Sequence, residues 1–422
     1  MSNLKNNSNV INLGCRLNSY ESEVIEKILE KNKIKNVTVV NTCAVTNQAV
    51  RKSKREIKKA KKKNLKNKII VTGCASQIDP TAFLNMNEVE KIIDNQLKTN
   101  EQLYRRNFTD LVDEVNGKLK RFPEAISKFN FKTRALLQIQ QGCDHRCTFC
   151  IIPFGRGDSV SLPIGEIVKR TEKFLISGYK EIIITGVDIT SYGNDLPGKP
   201  KLGEIIKRLL NILPDLKRLR LSSIDPAEID KDLMDLIVNE KRVLPHIHFS
   251  AQSGDDMILK RMKRRHSRRE CSEVCSTIKK ARSEMTFGAD IITGFPTETE
   301  ENFYNTYKFI QECNFSNLHI FPFSPKLGTP AARMPQISNS IKNDRADKLR
   351  KLGNEIRLNF FKDKVGKTQS ILLEGQNLSY TDDYCKVKIL EDKKKYHSDL
   401  RGQLTKVKFI GYDEDSIIAE IL

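Results

Sequence analysis

The chain has 422 residues, 38% of them hydrophobic and 30% charged. That composition describes a soluble globular protein, and a membrane span is excluded because no apolar run approaches the roughly 20 residues one needs. A formal charge of +20, from 73 basic against 53 acidic residues, points to a polyanionic partner, and 10 cysteines point to metal or catalysis rather than to disulfides.

The opening residues, MSNLKNNSNVINLGC, contain no apolar core for a signal peptide, so the expectation is a cytoplasmic chain of two or three domains. Three short β-branched runs come first. NVINLGC ends at Cys15, NVTVVNTC at Cys43 and KIIVTGC at Cys74, each a predicted buried strand with a cysteine at or just past its carboxyl end. Helical stretches separate them, SYESEVIEKILEKN from Ser19 and NQAVRKSKREIKKAKKK from Asn47. The order predicts a parallel sheet whose carboxyl ends share one edge, where open α/β sheets hold their ligands. Three thiols then meet at that edge and suit an iron-sulfur cluster, although any one alone reads as a small buried hydrophobe.

A polar stretch from Tyr104, YRRNFTDLVDEVNGKLKRFPEAISKFNFKTRA, reads as a linker. After it, ALLQIQQGC, KEIIITGVDI, LKRLRLSSI, PHIHFSAQSG, FGADIITGF and NLHIFPFSP are strand candidates alternating with helical segments. That alternation fits a whole or partial β/α barrel with its chemistry at the carboxyl ends of the strands. From about Phe361 the pattern changes to four or five short strands with Gly and Asp turns, a small all-β barrel.

The loop CDHRCTFC sets Cys143, Cys147 and Cys150 in a C-x3-C-x2-C array that neither zinc ribbons nor disulfide frameworks use. Three thiolates can hold three irons of a four-iron cluster and leave the fourth open to a substrate or cofactor.

With Phe149 before its last cysteine, this array resembles the signature of the radical S-adenosylmethionine superfamily, in which the cofactor occupies the open iron. More specifically, LGCRLNSYESE, VNTCAVTNQA, VTGCASQ, CDHRCTFCIIPFGRGDSVS, RLSSIDP, FSAQSGDDMILKRMKRRHSR, ADIITGFPTETEENF and FPFSPKLGTPA, in that order, resemble a methylthiotransferase. The resemblance implies an α/β chain in three parts: an N-terminal parallel α/β cluster domain over 1–125, a partial TIM-like radical barrel over 126–360 and a small all-β TRAM barrel over 361–422. It implies two [4Fe-4S] clusters, one on Cys15, Cys43 and Cys74 and one on Cys143, Cys147 and Cys150. It also implies S-adenosylmethionine contacts at Phe149, Gly186, Asp188, Ser250, Gln252, Asp290 and Gly294. TGVDI departs from the Gly-Gly-Glu that many superfamily members carry there. GCRLNSYE and NTCAVTN lie closest to the type that methylthiolates N6-threonylcarbamoyladenosine in the tRNA anticodon arm. One cofactor molecule would give the radical and a second would methylate the sulfur, with an electron donor such as flavodoxin or ferredoxin. The alternatives are a sister enzyme for isopentenyladenosine or a ribosomal protein, and a non-catalytic RNA-binding iron-sulfur protein.

Two basic runs would contact RNA phosphates: residues 51–68, with eleven Lys or Arg against one Glu, and residues 260–269, with seven. His246 and His248 alternate on one strand and read as interior packing, with no third ligand evident. His145 reads as a loop residue, and Cys271, Cys275, Cys313 and Cys385 as ordinary free thiols.

Overall fold

The structure is a computed structural model that describes residues 8–105, 122–130, 132–375, 379–390 and 400–422; most of the predicted linker lies outside the described residues. The three β-branched runs become β1 (Asn9–Asn12), β2 (Val37–Thr42) and β3 (Lys68–Gly73), with α1 (Arg16–Lys31) and α2 (Asn47–Lys63) as crossovers. A further strand, β4 (Lys91–Ile92), completes a parallel sheet in the order β1-β2-β3-β4. Central β2 is buried along its whole length, as a strand covered on both faces must be. α1 packs Leu17, Tyr20, Val24, Ile25 and Ile28 inward at helical spacing. α2 buries only Ser53 and Ile57, so most of its cations remain at the surface.

The middle of the chain forms β5 (Ala135–Gln138), β6 (Ile182–Thr185), β7 (Leu219–Leu221), β8 (His246–Gln252), β9 (Thr286–Thr293) and β10 (Phe315–Pro322). β5-β6-β7 and β8-β9-β10 are parallel sheets joined by parallel bridges from Leu219 to Val243 and from Ile224 to Phe249, which makes a partial barrel. Between the strands run α3 (Ile164–Ile176), α4 (Leu202–Ile212), α5 (Lys231–Asn239), α6 (Arg268–Ala281) and α7 (Glu300–Cys313), and α8 (Asn339–Lys362) follows β10. β8 shows how the sequence divides its faces. Ile247, Phe249 and Ala251 are fully buried in the apolar layer shared with α6 and α7, while His246, His248, Ser250 and Gln252 alternate onto the opposite, inner face.

The last segment closes into a barrel of β11 (Thr368–Leu372), β12 (Ser379–Tyr380), β13 (Lys386–Ile389), β14 (Leu404–Tyr412) and β15 (Ile417–Ile421), in the order β11-β12-β13-β15-β14. Ile371, Val387, Val407, Phe409 and Ile417 fill it, and Phe361 at the end of α8 joins them. The turn after β12 is fastened to the central barrel. Arg220 Nη1 donates to the Asp382 carbonyl at 3.0 Å, Thr286 Oγ1 donates to that of Asp383 at 2.8 Å, and Tyr384 stacks on His246 at 4.9 Å.

Candidate active site

At the carboxyl edge of the first sheet, two glycines let the strand ends close on one another. Gly14 and Gly73 have φ of +113° and +99°; a Cβ would lie 2.9 Å from Cys43 Cβ at the first and 2.4 Å from the Thr42 nitrogen at the second. Cys43 and Cys74 are buried and Cys15 is exposed at the start of α1. Burial pushes the Cys43 thiol up, and the neighbouring charges of Cys74 and Cys15 push it further. Lys326, from the loop after β10, faces this group; burial pushes its ammonium down to about 8 against the opposing pull of Cys43.

The second triplet follows β5, and a buried glutamine holds its loop. Gln140 Oε1 accepts the backbone N–H groups of Val187 and Asp188, both at 2.9 Å, while its Nε2 donates to the Gly142 carbonyl at 2.8 Å and to Ser159 Oγ at 2.9 Å. Cys143 Sγ lies 3.8 Å from Asp188 Oδ2, which also pairs with His145 Nε2 at 2.6 Å. Burial disfavours the His145 cation, yet hydrogen bonds to Asp188 and Glu228 outweigh this and push the imidazole up to about 10. Arg264 Nη1 points at Cys147 Sγ from 3.6 Å, while its Nη2 holds Asp225 at 2.8 Å and the Ser250 carbonyl at 2.6 Å. Burial pushes the Cys143 and Cys150 thiols up, Cys150 to about 11.

The two triplets face each other. Cys74 is close enough that its charge contributes to the raised Cys150, and a Cβ on Gly155 would lie 3.3 Å from Cys74 Cβ. A buried ion network locks the junction: Arg156 Nη1 and Lys98 Nζ lie 2.8 and 2.6 Å from the carboxylate of Glu21, and Arg156 Nη2 donates to Asn18 at 2.6 Å. Beside it, Phe149, Cys150, Gln252, Asp290 and Phe321 line a cavity of about 210 Å³.

The structure therefore brings Phe149, Gln252 and Asp290 together against Cys150, with Ser250 on the same face of β8. Gln252 sits at φ +67°, where β8 and β9 slip register, a left-handed conformation unusual for a residue with a side chain. The other expected contacts lie in the surrounding packing. Gly186 leaves room for Gln140, whose Oε1 would be 2.8 Å from a Cβ there, Asp188 faces Cys143 and His145, and Gly294 lies against Lys342. His246 is an interior residue, bonded to Thr286 Oγ1 at 2.9 Å. His248 does have further polar partners, supplied by distant strands: Asp290 Oδ1 lies 3.1 Å from His248 Nε2 and 3.0 Å from His319 Nδ1.

In the basic run 260–269 four of the seven cations have partners in other segments of the protein, while Lys260, Lys263, Arg265 and Arg269 are exposed. Arg264 serves Cys147 and Asp225, Arg261 bonds Thr297, Arg265 pairs with Glu228 and Arg268 with Glu312. Neither Gln140 nor Arg264 stands out in the sequence, because their partners are 47 and 117 positions away.

The donor chemistry fits iron clusters. Each triplet gathers unpaired thiols, and burial together with neighbouring cysteines raises Cys43 in one and Cys143 and Cys150 in the other, so a cationic metal is what would hold them as thiolates.

Comparison with known proteins agrees with this geometry. Residues 137–310 match the profile of the Radical SAM superfamily, and residues 7–94 match that described as Uncharacterized protein family UPF0004. Among solved structures, the radical S-adenosylmethionine methyltransferase TsrM of Kitasatospora setae, with cobalamin and a [4Fe-4S] cluster bound, shares the fold: TM-score 0.56 at 12% identity, covering 78% of this chain and 74% of that one. The class defined by fold and site is thus the radical S-adenosylmethionine enzymes. Threonylcarbamoyladenosine tRNA methylthiotransferase MtaB of Rickettsia prowazekii is 48% identical over 96% of this chain and 95% of its own, and MtaB of Bacillus subtilis is 32% identical over 94% and 92%. The tRNA-2-methylthio-N(6)-dimethylallyladenosine synthase of Neorickettsia sennetsu is 32% identical over 88% and 85%. The chain belongs to the MtaB-type tRNA methylthiotransferase family.

Proposed function

We propose that this chain replaces the C2 hydrogen of N6-threonylcarbamoyladenosine, in the tRNA anticodon arm, with a methylthio group, consuming one S-adenosylmethionine for the radical and a second for the methyl group. The observation that carries the reading is the convergence of two cysteine triplets, Cys74 against Cys150, beside the cavity of Phe149, Gln252 and Asp290. In this reading residues 1–125, 126–360 and 361–422 are the cluster, radical and TRAM domains. Cys143, Cys147 and Cys150 would hold one [4Fe-4S] cluster and Cys15, Cys43 and Cys74 another. The cofactor would lie against Phe149, Gln252 and Asp290, within a shell that includes Gly186, Asp188, Ser250 and Gly294. When bound and reduced, these groups supply a 5'-deoxyadenosyl radical and a sulfur atom.

The chain's own residues position and shield. Gln140 fixes the path of the cysteine loop, Arg264 sets a positive charge against Cys147, and the Glu21–Arg156–Lys98 network holds the two domains in register. Beside the cavity, Arg51, Lys54, Arg55 and Arg350 line a groove of about 910 Å³ that shares Thr46, Phe321, Pro322 and Ser324 with it, which suits RNA phosphates leading a base inward. No helix among the described residues is long and apolar enough to cross a membrane. A cytoplasmic location and a one-electron donor such as flavodoxin or ferredoxin complete the reading. Anaerobically reconstituted protein with a chemical reductant should convert tRNA bearing threonylcarbamoyladenosine to a nucleoside heavier by a methylthio group less a hydrogen, read by mass spectrometry. Conversion of isopentenylated tRNA in its place would overturn the substrate.

A further inference from the structure

A second cavity, of about 400 Å³, opens where three parts of the chain meet, lined by Cys15 and Arg16 at the start of α1, Lys132 and Arg134 ahead of β5, and Glu374 and Tyr384 from the C-terminal barrel. Leu136 of β5 and Ile183 of β6 complete its wall, so a thiol of the first triplet looks onto the inner face of the central barrel. Three cations stand against one carboxylate in this lining. Arg134 is the most constrained of them. Its Nη2 donates to Glu374 Oε2 at 3.2 Å, and its guanidinium lies over the Tyr380 ring, 4.8 Å from the centroid. Its Nη1 is buried with no hydrogen-bond partner. A buried guanidinium edge without an acceptor costs free energy, and native proteins rarely leave one so.

The other donors aim at the same space. Arg16 Nη2 donates to the Tyr384 hydroxyl at 3.1 Å, which leaves both groups beside the cavity. Burial pushes the Tyr384 phenol up, but Arg16, Arg134 and Arg220 outweigh it and hold the group below its ordinary value, a sign of positive potential. The same excess of cations faces Lys132, whose ammonium is held low by burial and by Arg134 and Arg16, against the pull of Glu23 and Glu374. A fork with one edge satisfied and the other vacant is suited to a planar anion, and two further cations would neutralise it.

We propose that this cavity reads the carboxylate of the substrate's N6 arm, with Arg134 Nη1 as its principal donor and Arg16 and Lys132 as supporting charges. This rests on the substrate reading above and extends it to the residues that tell a carboxylate-bearing adenosine from one with an apolar arm. An isopentenyl group there would leave buried cations without an anion, which is how polar sites reject apolar analogues.

The test uses one anticodon stem-loop RNA made in two forms, with threonylcarbamoyladenosine and with its side-chain carboxamide, and compares kcat/KM for methylthiolation by the full-length reconstituted enzyme. Wild type should prefer the acid by about 10- to 100-fold, the range for a hydrogen bond to a charged group. Arg134→Gln should lose most of that preference, through a higher KM for the acid form, and Arg134→Lys should recover part of it. Because each ratio is taken within one preparation, a partly misfolded variant does not disturb it. A wild type indifferent to the carboxylate would overturn the proposal. So would an Arg134→Gln enzyme that keeps the wild-type ratio while losing activity equally on both RNAs, the result expected of a phosphate contact or a structural residue. A wild type active only on isopentenylated RNA would defeat the substrate reading itself, and the pocket's occupant with it.

Discussion

Arg264 lies in a basic run, yet only 7% of its side chain is exposed, and it spends its charge on Cys147, Asp225 and a backbone carbonyl. Its Nη1 lies 3.6 Å from the Cys147 sulfur, which places a positive charge directly beside the cysteine loop. The two triplets differ in their surroundings. Cys147 has Arg264 and Cys143 faces Asp188, whereas at Cys43 burial is opposed by the backbone N–H of Val45 and the charge of Lys326. Unequal surroundings argue for unequal work, and single substitutions should divide it. Cys147→Ala should abolish reductive cleavage of S-adenosylmethionine, whereas Cys43→Ala should still release 5'-deoxyadenosine and yield no methylthiolated RNA. Iron analysis gives the accompanying count: roughly eight atoms per reconstituted chain and about half that when Cys15, Cys43 and Cys74 are all replaced. Full iron in that triple variant would refute the N-terminal site, and loss of cleavage in both single variants with folding intact would refute the division.

Among the elements, the turn after β12 does more than end a small barrel. It covers one end of the central barrel, where Glu181 binds Arg218 and Arg220, each at 2.8 Å, and the two arginines in turn hold Asp382. Burial opposes the Glu181 charge, but Arg220, Arg218 and Arg134 outweigh it and hold the carboxyl down at about 2, below the ordinary 4.5. With the folded group more acidic than the unfolded one, the unfolded chain binds the extra proton as pH falls, so this contribution is complete above pH 4.5 and fades toward pH 2. It amounts to about 3 kcal/mol. Glu181→Gln should therefore lower stability at neutral pH, leaving two buried arginines short of an anion, and flatten the loss between pH 4.5 and 2 in urea titrations. An unchanged acid limb would place the dependence elsewhere. Such links explain what the sequence could disclose. β-branched runs ending in cysteine identified β1, β2 and β3, and the alternation in HIHFSAQ identified the inner face of β8, because those patterns are local. β4 has only two residues and carries no pattern. Gln140, Arg134 and the Arg218–Asp382 pair act across 47, 240 and 164 positions, so only the closed fold shows them.

Over the whole molecule, a charge of +20 is distributed unevenly in use as well as in position. In residues 260–269 four arginines are committed to Thr297, Cys147 and Asp225, Glu228 and Glu312. In α2 most cations are exposed, and Arg51, Lys54 and Arg55 line the groove that adjoins the cavity of Phe149 and Gln252. Exposed cations along a groove can displace counterions from RNA, and that displacement governs how steeply binding falls with salt, by about 0.7 in the log–log slope per phosphate on a single strand and 0.9 on a duplex. Replacing Arg51, Lys54 and Arg55 with Gln should therefore weaken tRNA binding and reduce the slope by about 2 to 3, with little change in thermal stability, since apart from the contact of Lys54 over the Phe83 ring these side chains are not packed in the core. Replacing Arg261, Arg265 and Arg268 should do the reverse, lowering the melting temperature while leaving the slope nearly as it was. Fluorescence anisotropy across a salt series, with melting curves on the same preparations, measures both. An unchanged slope in the α2 variant would move the RNA path away from this groove, and a large change in the other would return the second basic run to the RNA surface.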